Sequence, residues 1–505
     1  MSRTRWLLIV GGLVAVATLI VGVALALRGV RAVAPAAEPA WTTDDPAARD
    51  ALVQGIDAWR ADRHFAAASH LRRAMDHDPG LVAAAVLLQP LAADRTEARQ
   101  LAAQLRRIDD ASLNDVEGFL LRHWRAVDRP SDEAEREIAL AAGLDDDDPD
   151  AARADAARAA ESPEAVVEAF LGRHPDNPFG LLIGCETYWR AGRRAQAESA
   201  CQRLIARHPR WVGGQHLLGA LAMADGAFEE AERRLVTYQF LAPDQPQPHL
   251  ALAELHLLRG RWRRALQGLD AALATAPEHC PTHIARLRGS ALAGDVDRVE
   301  KARARLAASA EPGAPCAERL PPRMVCYHEV VAALYLGRAA EAADRLFVDD
   351  CLPSGRTNPV AVRLALARGD DARADQLLTA LRTVVRDADS SLWNREIWQG
   401  ILDHVEAMTA LARADDAPDP AAMLASAADR FAAADARVPY WRNGLGLTKL
   451  FIRLEWAHTL RRLGRIDEAR AIEAELDAVN PRLRQRFAED TIDRLRVRLR
   501  PSASS

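Results

Sequence analysis

The sequence predicts an all-α protein in which helix pairs stack into a solenoid, and three observations carry that fold class. Glycines recur at Gly192, Gly226 and Gly260, each 34 residues from the last, with alanines at Ala197, Ala231 and Ala265 and prolines at Pro209, Pro243 and Pro277 in step. A fixed period of that size is the mark of stacked supersecondary units. Each residue type also suits its place. The glycine permits the left-handed turn that closes a first helix. The alanine five residues on lets a second helix approach the first closely. The proline ends that second helix, because it lacks an amide proton and disfavours helical backbone in the residue before it. Finally, the chain is rich in alanine and poor in strand-like runs, which favours helix throughout.

These residues resemble the tetratricopeptide repeat (TPR) family. In the second unit Leu218, Gly219, Gly226, Ala231 and Pro243 fit its motif, and in the third Leu252, Ala253, Gly260, Ala265, Ala272 and Pro277 fit it. The first unit has Cys185, Tyr188, Gly192, Ala197 and Pro209, with Leu204 in place of the second alanine. The resemblance implies a right-handed α-solenoid of TPR-like helix pairs. It implies little about ligand, since the family binds many peptides and proteins.

Composition narrows the class further. With 505 residues, 49% of them hydrophobic, the chain can bury one large core or several in series. A net charge of −5 offers no general basic field, so no nucleic-acid partner is expected. Lysine occurs only at Lys301 and Lys449, leaving arginine to carry the positive charge.

From the amino terminus, Trp6 to Leu27 is a run of 22 residues without a charge. As a helix it would span about 33 Å, enough for the hydrocarbon core of a bilayer. A cleaved signal peptide is the rival, with a cleavable Ala24-x-Ala26, but its apolar region normally runs only ~7–15 residues. One N-terminal transmembrane helix is therefore expected. The amino terminus, Arg3 and Arg5 on one side against Arg28 and Arg31 on the other favour an inside amino terminus and an extracytoplasmic body. The expected organisation is a stub and span over 1–29 and an Ala/Pro linker over 30–46, followed by a TPR-like segment over 47–143. A solenoid core over 144–310, a Pro-rich hinge over 311–325, a second TPR-like segment over 326–482 and a basic terminal helix with a polar tail over 483–505 complete it.

Within that frame a first repeat shows at Gly55, Ala67, Leu71, Ala74 and Pro79. The run Asp145 to Asp150 reads as a solvated acidic turn, since its carboxylates lack the alternating spacing and glycine of a calcium loop. After Pro277 the phase persists at Gly294, where Val299 replaces the alanine, then at Gly337 with Ala342 and Gly369 with Ala374. The stretch from Leu392 to Trp441, with Trp393 and Trp398, fits no clean phase. A repeat returns at Ala457, Gly464, Ala469 and Pro481. The terminal helix is expected to shield the last repeat's apolar face.

No catalytic signature is present: no GxxxxGK[ST], no GxGxxG after a strand, no HExxH, no GxSxG and no CxxCH. Cys280 with His283 has the spacing of half a zinc site and lacks a second pair. No enzyme, cofactor, metal or small-molecule substrate is expected. Of the six cysteines, Cys185 and Cys201 face one another across a helix pair and read as small buried apolar residues. Cys280, Cys316, Cys326 and Cys351 cluster around the proposed hinge, where a bridge is permitted in an oxidising compartment and its connectivity stays open.

In the resembled fold the first helix of each unit lines a concave groove. Carried onto this chain, the resemblance places Phe179, Leu182, Glu186, Trp189, His216, Met223, Leu250, Glu254 and Leu257 in a partner-binding groove. Apolar and aromatic anchors with two carboxylates would suit a protein or peptide segment, one carrying a basic side chain. The expected function is a membrane-anchored TPR scaffold or adaptor in a bacterial envelope. The alternative is a non-catalytic accessory subunit of a membrane-bound enzyme or assembly complex.

Overall fold

In the computed structural model the repeat chemistry is expressed as helical hairpins. The structure describes residues 41–93, 95–127, 161–314, 316–317, 320–348, 351, 359–386, 392–440 and 445–499. The Trp6–Leu27 run, the acidic run 145–150, Trp441 and the last six residues lie outside them. Among the described residues there is no strand, and no helix is long and apolar enough to cross a membrane. The chain divides into Met1–Thr42 and Thr43–Ser505, and every helix described below belongs to the second unit.

The amino-terminal hairpin pairs α1 (Pro46–Arg60) with α2 (His64–His77), followed by α3 (Val82–Leu88), α4 (Arg95–Arg106), α5 (Asp115–Val127) and α6 (Pro163–Arg173). The regular stack then runs through four pairs. They are α7 (Pro178–Arg190) with α8 (Arg194–Arg207), α9 (Gly213–Ala224) with α10 (Phe228–Leu241), α11 (Pro246–Leu258) with α12 (Trp262–Thr275), and α13 (Cys280–Ala293) with α14 (Val296–Ser309). Two more pairs follow, α15 (Pro322–Tyr335) with α16 (Ala339–Phe347) and α17 (Pro359–Arg368) with α18 (Asp371–Arg386). The carboxy-terminal part is α19 (Leu392–Arg413), α20 (Pro420–Arg437), α21 (Leu445–Arg462), α22 (Ile466–Val479), α23 (Pro481–Phe487) and α24 (Ile492–Leu499).

Helix starts follow local chemistry. Asp45, Ser162 and Asn177 each accept hydrogen bonds from first-turn amides, with proline at the first helical position. The repeat glycines 192, 226, 260, 294, 337, 369 and 464 all have φ between 66° and 75°. The alanines that follow them are shut away: Ala197, Ala231, Ala265, Ala342 and Ala469 have no exposed surface. Val299, in the same role, is buried as well. In the first hairpin the turn residue is Asp62 (φ 60°), one of the few types that tolerates left-handed backbone.

Three stretches take definite form. The one that fits no clean phase holds, between Leu392 and Tyr440, the hairpin of α19 and α20, whose 22- and 18-residue helices are too long for a 34-residue period to register. They meet where Gly400 leaves room for Val438. Among its described residues the Pro-rich segment has no helix before Pro322, yet packing is continuous across it. Cys316 and Leu320 share one core with Leu287, Ala291, Val325 and Ala332, so the two solenoid segments are not separated there. The terminal helices do not simply cover the last repeat. They turn back, and α24 packs on α17 and α19, with Arg496 in a two-pronged pair with Asp371 (2.8 and 2.9 Å).

All six cysteines are paired: Cys185–Cys201, Cys280–Cys316 and Cys326–Cys351, with Cα separations of 5.3, 5.7 and 5.4 Å. The reading of Cys185 and Cys201 as unlinked apolar residues is thereby corrected. Facing positions on two closely packed helices bring their Cα atoms to bridging distance.

Candidate functional site

The first stretch of the expected groove is filled by the chain itself. Trp59, at the end of α1, stacks on Phe179 with ring centroids 6.1 Å apart and meets the edge of Trp211 at 5.7 Å. The Val212 amide donates to the Arg60 carbonyl (3.1 Å). Beyond the turn, Tyr238 donates its hydroxyl to Asp62, whose other oxygen lies 2.8 Å from His64 Nε2. His216 stacks on Tyr238 at 5.0 Å. Burial works against ionising Asp62, but the hydrogen bond and charge of His64 outweigh it and lower its carboxyl. Phe179 is therefore a seat for the amino-terminal hairpin, and His216 packs on the Tyr238 ring that this hairpin's turn engages. Leu182 packs over Gly213. Glu186 is exposed and pairs with Arg190 one turn away (2.5 Å), while Trp189 is half-buried beneath the Arg194 guanidinium. None of these five lines either of the two cavities described next.

The other four do. Met223, Leu250, Glu254 and Leu257 line a cavity of about 250 Å³, with Pro281 and Ile284 of the next unit and Gly446 and Leu447 of α21 opposite. At Arg288 and Tyr335 it adjoins a second cavity of about 280 Å³. That second cavity is walled by Tyr327, Val331 and Leu334 of α15, Arg363 of α17, Trp398, Ile401, His404 and Met408 of α19, and Phe451 and Phe487 from the carboxy-terminal helices. Concave-face residues of successive units thus form one wall and the returning carboxy-terminal helices the other.

What holds the far wall is a chain of aromatic and ionic contacts. Tyr335 stacks on Phe451 at 6.0 Å, and Phe487 meets Phe451 edge-on at 5.3 Å. Arg363 pairs with the fully buried Glu455 and also donates to the Asp490 carbonyl. Burial raises the Glu455 carboxyl against the pull of Arg363. Lys449 and Arg453, both on α21, converge on Asp435 of α20.

The polar groups facing the cavities are unevenly matched. Arg288 Nη2 lies 3.0 Å from His328 Nδ1, and no carboxylate pairs with Arg288 among the described residues. The Nε of Arg288 and the Nε2 of His328 make no hydrogen bond, and neither ring nitrogen of His404 makes one. Burial pushes both histidines down to about 3, assisted by the charge of Arg288 at His328 and of Arg363 at His404, so both rings are neutral at neutral pH. No cluster of three or more His, Cys, Asp or Glu side chains able to hold a metal occurs among the described residues.

Sequence reasoning missed Arg288 and the α15–α19 wall because the groove mapping stopped at three clear units. Arg288 stands one 34-residue period after Glu254, so extending the mapping by one unit would have found it. Nothing local announced that Phe451 and Phe487 would close the cleft.

No family model matches the sequence, and no curated protein matches it. Two solved structures are similar across most of the chain. One is the APC/C hetero-tetramer Cut9-Hcn1, at 14% identity, with 89% of this chain and 96% of that chain covered and a TM-score of 0.34. The other is the TPR domain of P58(IPK), at 11% identity, with 85% and 98% covered and a TM-score of 0.19. At those scores the repeat assignment rests on the hairpins described above.

Proposed function

We propose that this protein is a membrane-anchored helical-repeat scaffold that holds a segment of a protein partner in the cleft beside Met223, Leu250, Glu254 and Leu257. The observation that carries this reading is selective coverage. The chain packs its own residues over Phe179 and His216 yet leaves an apolar cavity along the next two units. Concave, mainly apolar sites with a few convergent polar groups are where recognition concentrates. The anchor is the Trp6–Leu27 run, with the solenoid on the extracytoplasmic side of a bacterial inner membrane. Three disulfides support that placement, since such bonds persist in oxidising compartments.

Site-directed photo-crosslinking in native membranes tests the binding reading. A photoreactive residue at Leu250 is expected to give one discrete adduct that Leu257→Arg abolishes, while the same residue at Phe179 gives none. Adducts from Phe240, which is 82% exposed on α10, with none from Leu250, would move the partner to the outer surface. Reporter fusions at Ser505 test placement: activity of a reporter that works only inside the cytoplasm would reverse it.

A further inference from the structure

The cavity between α15 and α19 has a chemistry that a protein scaffold does not require. Its walls come from α13, α15, α17, α19 and the carboxy-terminal helices. Its lining is mostly apolar and aromatic, and with the adjoining cavity its volume falls in the ~300–1,000 Å³ range of small-ligand sites.

Two polar features select the ligand's chemistry. Arg288 brings a positive charge to the junction of the two cavities; Glu254 lines the adjoining cavity and Asp490 this one, but among the described residues no carboxylate pairs with Arg288 at ion-pair distance. A guanidinium in an apolar cleft is matched best by a carboxylate, through short charge-assisted hydrogen bonds. His404 supplies the second feature. It is 5% exposed and lines the cavity; its Nε2 lies 3.9 Å from the Glu455 carboxylate, and neither ring nitrogen makes a hydrogen bond. Buried polar atoms without partners are uncommon in folded proteins, and each calls for a missing partner. The Arg363 guanidinium on the same wall is already neutralised by Glu455 and does not compete for an anion.

We propose that this cavity binds a small amphipathic carboxylic acid, its carboxylate on Arg288 and its apolar body against Val331, Tyr335, Ile401 and Phe451. A hydroxyl or oxo group toward the far end of such an acid would meet His404. The inference goes beyond the scaffold reading and does not depend on it, because photo-crosslinking from Leu250 probes the neighbouring cavity.

The test is calorimetric titration of the full chain in lipid nanodiscs with decanoate, decanol and decyltrimethylammonium, with heats from empty nanodiscs subtracted. Decanoate is expected to bind saturably with one site, and decanol about tenfold more weakly, the factor expected for loss of one charged hydrogen bond. Arg288→Gln should weaken decanoate about tenfold and leave decanol unchanged, while Arg288→Lys should retain most of the preference. Absence of saturable decanoate binding overturns the proposal. So does equal affinity for acid and alcohol in both the wild type and Arg288→Gln, which would mean apolar filling only, and so does tighter binding of the cationic probe.

Discussion

Arg486 lies across Gly294, and from there its guanidinium donates to the carbonyls of Ala291 (2.9 Å) and Tyr335 (3.1 Å). One side chain near the end of the sequence thereby satisfies carbonyls at the ends of α13 and α15, in two successive units. The same device recurs one unit earlier, where the fully buried Asn480 rests on Gly260 and caps α23 through the amides of Arg482 and Leu483. The repeat glycines thus do two things: they turn the chain, and their bare surface is where the carboxy-terminal helices dock.

Alanine substitution separates those roles. Gly369 has φ 75° and open space around it, so Gly369→Ala should cost only the backbone term, about 1 kcal/mol. Gly260→Ala and Gly294→Ala place a methyl group against Asn480 or Arg486 as well, and should cost at least about 1 kcal/mol more. Urea unfolding of the three variants checks this. Equal losses would show that the carboxy-terminal docking yields at no cost.

The Arg363–Glu455 pair should be unforgiving of half-measures. Glu455→Leu leaves a buried guanidinium without its carboxylate and is expected to destabilise by about 3–5 kcal/mol. The double variant Arg363→Met with Glu455→Leu should recover much of that loss, since an apolar pair removes the desolvation cost of both charges. Thermal melts of the single and double variants decide it.

Acid should act through histidine before it acts through the carboxylates. His328 and His404 are depressed to about 3 by burial first and the neighbouring arginines second. A group depressed in the folded state contributes stability that is complete above its unfolded value, about 6.5, and is lost as pH falls toward the folded one. Stability should therefore drop between about pH 6.5 and 3, by up to about 1.4 kcal/mol per pH unit for each histidine. Replacing both with glutamine should flatten the slope in that window when melting is followed against pH.

Asp493 extends the loss to lower pH. Burial would raise its carboxyl, but the hydrogen bond and charge of His458, with Thr491 and the Arg494 amide, hold it at about 2. Its contribution is present above about pH 4 and disappears as pH approaches 2. Asp493→Asn should remove about 2 kcal/mol of pH-dependent stability there, read from urea midpoints at pH 5 and pH 2.5.

Reduction should loosen the stack unevenly. The bridges close segments 16, 36 and 25 residues apart in sequence. In the chain-entropy account each contributes about 3–4 kcal/mol, the Cys280–Cys316 bridge most. Melts of the three Cys-to-Ser pair variants rank them.

The repeat units were legible wherever local chemistry repeats with the local fold. Gly226 and Ala231, or Gly369 and Ala374, are dictated by a tight turn and a close helix approach within about a dozen residues. The α19–α20 hairpin escaped because, from Leu392 to Arg437, it is longer than the period, although each helix is plainly helical on its own. Of the nine residues expected in the groove, Met223, Leu250, Glu254 and Leu257 line a cavity. Phe179 is covered by Trp59, and His216 stacks on Tyr238, which bonds Asp62; both partners from the first hairpin stand more than a hundred residues earlier.

By itself the sequence determined the helical hairpins, their order and the inner face they share, because turns, caps and side-chain size act over one unit. Which part of that face stays open was decided only in three dimensions. Helices α21 to α24 fold back onto bare glycine surfaces and onto Tyr335 and Arg363, and α1 with its turn lays Trp59 over α7 and brings Asp62 to Tyr238 of α10. Such contacts join residues separated by up to about two hundred positions, and no residue type at either end foretells its partner, since apolar burial and buried ion pairs are satisfied by whatever surface the superhelix brings near.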